Sequence, residues 1–382
     1  MRNKLFMIIL LGWLFYLAPA ALADWSAAQR LTRNLGDSIF AAVAIDSANT
    51  IHVVWGDGTP GNTEIYYKRS SDAGAAWSAA QRITWTSGGS SLPAIAIDLS
   101  DTIHVVWMDD TPVNREIYYS KSTDGGNSWS SSQRITWTPE SSHNPAIAAD
   151  SSGTIHVVWH DYTPGNYEIY YKRSTDGGNS WGPSQRITWT SGFSYRPAIA
   201  VDSTDSLHVV WHNDIYMDEI YYKRSTDGGT TWSAAKRLTS NSGYSWVPAI
   251  AIYSSGNIHI VWQDETPGNY EIYYKRSEDG GTTWSPAQRI TWTSGDSRNP
   301  AMAIDSGDTI HVAWDDDTPG ASEVYYKNSA DGGTTWSASQ RLTWTSGTSN
   351  HPAMAIDSSD TLHLVWHDNT PGNNEIYYKK GN

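Results

Sequence analysis

Residues 129–180 read WSSSQRITWTPESSHNPAIAADSSGTIHVVWHDYTPGNYEIYYKRSTDGGNS, and close copies of this phrase fill most of the chain. Its leading tryptophan recurs as Trp25, Trp77, Trp129, Trp181, Trp232, Trp284 and Trp336, at intervals of 52 residues and once 51. A fixed period outranks local propensity, because each copy must be one structural unit that its neighbours complete. Four short β-rich runs lie in each unit, bounded by Gly, Pro, Asn, Asp and Ser. In one copy they are Pro93 to Asp98, Ile103 to Trp107, Glu116 to Lys121 and Trp129 to Thr136. No run has helical period. Four strands per repeat predict an all-β fold: a seven-bladed β-propeller of four-stranded antiparallel blades.

The Ala-Ile-Ala-Ile run suits an inner strand crowded around an axis, and Ile-His-Val-Val-Trp is apolar on both faces, as in a strand sandwiched between blades. Counted from Trp25, the chain opens on an outer strand and ends on a third strand, Glu375 to Lys380. The N-terminal strand, Trp25 to Thr32, is therefore expected to complete the last blade and close the ring, leaving no bare sheet edge.

Residues 1–23 have the form of a secretory signal peptide: Arg2 and Lys4, an apolar run from Leu5 to Leu17, and Ala21-Leu22-Ala23 before Asp24. The expected organisation is a signal peptide at 1–23 and one propeller domain at 24–382, secreted to an extracellular or periplasmic space and not inserted in a membrane after processing. The chain has no Cys, so core packing must supply the stability that disulfides often lend exported proteins. A formal charge of −14 argues against nucleic acid as a partner. No cofactor motif is present, and the acidic loops lack a diagnostic Ca²⁺ spacing, which leaves metal use open.

Ser122-Thr123-Asp124-Gly125-Gly126-Asn127-Ser128-Trp129 joins the third and fourth strands, and its counterparts centre on Asp72, Asp176, Asp227, Asp279 and Asp331. The string resembles the Asp box, S-x-D-x-G-x-T-W, and six copies in register make the whole mature chain similar to the Asp-box (bacterial neuraminidase repeat) propellers of the sialidase-like superfamily. The six aspartates are expected to organise their turns, accepting backbone N–H bonds while Gly takes positive φ. The resemblance implies that the functional face lies opposite the Asp boxes.

It also implies, for a sialidase, an arginine triad, a Tyr nucleophile helped by Glu, and an Asp acid/base. Most arginines repeat and read as framework. Four break the repeat: Arg33, Arg115, Arg196 and Arg298. The family's Arg-Ile-Pro type string is replaced by Arg30-Leu31-Thr32, itself a repeat element. The seven second-strand histidines, such as His52 and His156, recur identically and are expected to hydrogen-bond between blades. The acidic positions typified by Asp161 and Glu168 are near-uniform, whereas an acid/base pair needs two different environments.

Positions that differ between units are not set by the fold and are the candidate ligand contacts. They include His143, Tyr195, Arg196, Trp246, Arg298, Asn350 and His351 before the inner strand, and Tyr216 in the fourth unit's divergent loop. Trp85, Trp137, Trp189, Trp292 and Trp344 recur in five units, either as sugar-stacking rings or as core caps. The expectation is a monomeric, non-catalytic recognition propeller for glycans or glycoconjugates. A sialidase-type glycoside hydrolase and a protein-binding scaffold or adhesion module stand as alternatives.

Overall fold

The computed structural model describes residues 23–382 apart from 112, 216, 254 and 255, so the expected signal peptide, save its last residue, lies outside the described residues. Seven four-stranded antiparallel sheets form, six of them in sequence order from inner to outer strand. In the third blade the strands are Ser142–Ala149, Ile155–Asp161, Glu168–Ser174 and Gln185–Arg186. The seventh blade takes its outer strand, Gln29–Arg30, from the start of the chain, paired with Tyr377 and Tyr378. Trp25 bridges Gly381 at the far end of this closure. The ring is a β-propeller closed by the N-terminal strand.

The second strands are wholly buried, and the core is repeated at each blade junction. Val158, Ile169 and Tyr171 of the third blade pack with Leu207, Val209 and Trp211 of the fourth. The outer strands are shorter than their sequence suggests: where Trp129 to Thr136 is expected, regular pairing covers only Gln133–Arg134. Trp129 leaves the ladder to meet Tyr67 of the preceding blade edge-on, at 5.1 Å between ring centroids. Backbone bonds from Ser130 to Lys121 and from Ile135 to Ile117 tie down the two ends.

The recurrent histidines bond within their own blade rather than between blades. His156 Nδ1 lies 2.8 Å from Tyr171 Oη, and its Nε2 lies 3.1 Å from Asp150 Oδ2. The tyrosine is what crosses to the next blade, donating to Gly228 O at 3.1 Å. Burial depresses the pKa of all seven imidazoles, that of His259 to about 4; in its blade Tyr253 stands where the other six have an Asp partner.

Each inner strand carries a bulge at the end opposite the Asp boxes, as between His143 and Ala146. At every bulge one residue has left-handed φ: Phe40, Leu92, Asn144, Arg196, Val247, Asn299 and His351, all between 46° and 53°. Such a backbone suits Gly and sometimes Asn, and it is strained for a β-branched residue.

Three outcomes follow from this architecture. Deleting residues 24–33 should expose the edge of the third strand Glu375–Gly381, giving a protein that aggregates or melts far below the intact chain in a thermal scan. Val247→Gly should relieve left-handed strain and raise stability by about 1 kcal/mol, read from the urea midpoint. Because the folded state protonates its histidines less readily than the unfolded chain does, stability should be full above about pH 6.5 and fall as pH drops toward 4, visible as a lower denaturant midpoint at pH 5 than at pH 7.5.

Candidate functional site

The loops opposite the Asp boxes are fixed by buried carboxylates. Asp161 accepts hydrogen bonds from Ser142 Oγ at 2.6 Å and Thr163 N at 2.8 Å. Glu168, directly across the ladder, accepts from Arg186 Nη2 at 2.6 Å and Thr190 N at 2.7 Å, and also bonds the Thr188 hydroxyl. Repetition of this arrangement accounts for the near-uniform acidic positions: they satisfy backbone N–H groups that the loops would otherwise leave unpaired.

On this face a cavity of about 670 Å³ opens over blades three to six, and His160, Tyr195, Arg196, His212, Trp246 and Arg298 are among its lining residues. A second space of about 280 Å³ lies on the axis, lined by left-handed residues that include Phe40, Asn144, Arg196, Val247 and His351. Asn144, Arg196 and Val247 border both.

Ring follows ring along the main cavity. His143 stacks on His160 at 5.4 Å, His160 meets Tyr195 at 5.5 Å, Tyr195 lies 5.4 Å from His212, and His212 stacks on Trp246 at 6.1 Å. Trp246 lies 5.9 Å from Tyr270, which carries the Arg298 guanidinium over its face at 5.1 Å. Arg298 is paired with Asp296 and Asp317. Arg196 is exposed and has no ion-pair partner among the described residues. Its backbone N–H donates to His160 Nδ1 at 3.3 Å, which places the His160 proton on Nε2.

The same link joins other blades at the axis: Asn299 N donates to Gln263 Oε1, and His351 N to Asp315 Oδ1, each at 3.0 Å. In these three blades the varied residue after the second-strand Trp is thus an acceptor for the strained residue of the following blade. Burial drives the pKa of Asp315 up to about 7.

Burial, with Arg115 nearby, lowers His143 to about 4; burial and Arg196 lower His212 to about 3, so both imidazoles are neutral near pH 7. Burial raises Asp218, whose Oδ1 lies 3.9 Å from His212 Nε2. Tyr195 is pushed up to about 12, first by burial and then by Asp214. His212 Nδ1 and Trp246 Nε1 are buried without a partner of hydrogen-bonding geometry among the described residues.

Of the sequence-selected residues, Tyr195, Arg196, Trp246 and Arg298 converge on the main cavity, His143 joins its ring system, and His351 borders the axial space. Asn350, paired with His367 across the strands, is in neither lining. Tyr216 lies outside the described residues. The five repeated tryptophans cap no core; they sit on the rim, 66–70% exposed. Of the four non-repeating arginines, Arg196 and Arg298 line the cavity, while Arg33 lies by the clasp beside Leu31 and Lys68.

Asp214 and Asp218 enter the cavity from the fourth blade's divergent loop. Their sequence signal was the loss of Thr-Pro-Gly-Asn there. At the opposite face each Asp box closes on itself: Asp124 Oδ1 accepts from Ser122 Oγ at 2.8 Å and Ser128 N at 2.9 Å. The bonds from Ser128 lead those that hold this carboxyl down to about 2. No group of three or more His, Asp or Glu with metal-binding geometry occurs among the described residues.

No curated protein matches the chain in sequence. Among solved structures it is similar in fold to an ulvan lyase, with 11% identity, TM-score 0.66, and 91% of this chain and 95% of that one covered. It is similar also to an α-L-arabinofuranosidase of Fusarium graminearum, at 16% identity, TM-score 0.55 and coverage of 75% and 91%. A Hadza microbial sialidase aligns at 17% identity, TM-score 0.55 and coverage of 84% and 73%. These likenesses concern the fold. A model of the BNR repeat-like domain matches residues 109–314 and 168–370. With more than half the chain matched and seven repeat units closed into one ring, the protein belongs to the BNR repeat-like domain family and folds as a β-propeller.

Proposed function

We propose that this chain is an exported carbohydrate-recognition propeller that binds a saccharide in the cleft over blades three to six. The observation that carries the reading is the unbroken run of rings from His143 to Tyr270, bordered by Arg196, which has no ion-pair partner among the described residues. Aromatic faces pack against the C–H faces of sugars, and a few polar groups orient the hydroxyls. Names of structural neighbours, a lyase and two glycosidases, point to the same broad ligand class. The basic start and apolar run before Asp24 support export.

A second reading, in which the cleft also turns its ligand over, is favoured by one observation. Asp218 is buried with a raised pKa beside the neutral His212, two groups suited to opposite ends of a proton transfer. A sialidase-type Tyr nucleophile finds less support, since the pKa of Tyr195 is raised rather than lowered.

On a glycan array the processed protein should bind a defined set of oligosaccharides, and Trp246→Ala or Tyr195→Ala should weaken that binding at least tenfold, about 1.4 kcal/mol, with an unchanged melting curve. Binding without released product supports recognition. Product formation that Asp218→Asn abolishes would make the protein an enzyme, and a silent array would reject the reading.

A further inference from the structure

Trp85, Trp137, Trp189, Trp292 and Trp344 follow the outer strands at the same station of five blades, and each keeps about two-thirds of its surface exposed: 70, 66, 67, 67 and 68%. Single exposed apolar residues are ordinary, but a large ring exposed at five equivalent stations is not a scatter. A ring covered on both faces could not keep so much surface, so each indole has a face open to solvent.

These rings are held in place. The arginine three residues earlier lies over each ring at 5.6–5.8 Å, as Arg82 does for Trp85 and Arg134 for Trp137. The arginines are themselves fixed: Arg134 bonds Glu116 Oε1 at 2.6 Å and Thr136 O at 2.7 Å. In four of the five stations a lysine from the following blade adds a second cation; Lys172 is 5.5 Å from the Trp137 ring and donates to Ile135 O at 2.6 Å. At Trp85 the corresponding residue is Ser120, and no lysine is present. A groove of about 520 Å³ runs past Trp85 down the side of the next blade, offering Gln81, Asn127, Ser128 and Ser130. An immobilised indole face above amide and hydroxyl groups matches a pyranose ring, which has a C–H face and a rim of hydroxyls, and little side-chain freedom is lost on binding.

We infer that the rim of the propeller carries five similarly placed saccharide-stacking sites, separate from the cleft, which let one chain engage a polysaccharide at several points. The stations fall in two arcs, Trp85-Trp137-Trp189 and Trp292-Trp344, interrupted by Ser240 and Arg33. The Ser240 station is complete but for its ring: Arg237 bonds Thr239 O at 2.7 Å, and Lys275 donates to Leu238 O at 2.5 Å. Weak single sites acting together yield avidity well above that of one.

The test is affinity electrophoresis of the processed protein in gels containing galactomannan, xyloglucan, xylan or dextran. At least one polysaccharide should retard the protein; Ser240→Trp should deepen the retardation, and successive Trp→Ala replacements at the five stations should reduce it stepwise, at least tenfold in apparent affinity when all are gone. The same stepwise loss should appear in a Trp246→Ala background, where the cleft is already weakened, which separates the rim from the cleft. Because the five rings are exposed, melting curves should match the parent; should the fully substituted variant fail to fold, Trp189→Ala and Ser240→Trp alone give the opposite shifts required. Absence of retardation in all four gels, or equal retardation of the parent and the fully substituted variant, would overturn the inference.

Discussion

The ring depends on how a tyrosine of one blade enters the Asp-box turn of the next. Tyr171 bonds the carbonyl of Gly228, and the following Gly229 lies so close to the phenol that any Cβ there would fall inside it. Gly229 has φ of 85°, a conformation glycine adopts without steric cost. Trp232 then covers the same tyrosine edge-on at 5.2 Å. His156 and Asp150 hold the phenol from behind, so a chain of polar contacts that in isolation looks like proton-transfer machinery serves to aim one ring at its neighbour. The packing makes each blade's outer edge contingent on the blade before it.

With the Asp-box face committed to assembly, variation is free to collect at the other end of the blades. There the carboxylates typified by Asp161 and Glu168 hold the loops by their backbones, leaving the side chains before the inner strand open to differ. The varied residues are not wholly released from structural duty, since His160, Gln263 and Asp315 accept bonds from strained backbone in the next blade. Left-handed φ at seven non-glycine positions around one axis is the kind of local strain that persists only where surrounding structure imposes it.

Most of the fold was legible because each blade solves one packing problem with the same residues, so the period of Trp25, Trp77 and their successors carries the strand count and the closure. What the period could not convey was direction. His156 and Tyr171 stand fifteen positions apart, which is compatible with a bond inside a blade or across two. Only the register of the second and third strands, with His156 opposite Arg173, sets the tyrosine diagonally across from it in the same sheet. Similarly, the list of varied positions was readable, but the bulge decides which of two adjacent residues turns to the axis: His351 borders it, whereas Asn350 does not. Exposure of the repeated tryptophans was open too, because apolar character alone does not distinguish a capped core from a platform braced by Arg134 and Lys172.

The seventh blade is a joint between the two ends of the polypeptide, secured by the two-residue strand Gln29–Arg30 and the Trp25 bridge. A circle of seven places the fourth blade about as far from that joint as the circumference allows. Should the joint loosen momentarily, the displacement is largest beside it and fades around the circle. The Tyr195 and His212 end of the cleft therefore lies in the arc farthest from the joint, while its Arg298 end reaches the sixth blade beside it, and the rim tryptophans are spread over arcs that differ in how much of that breathing they feel.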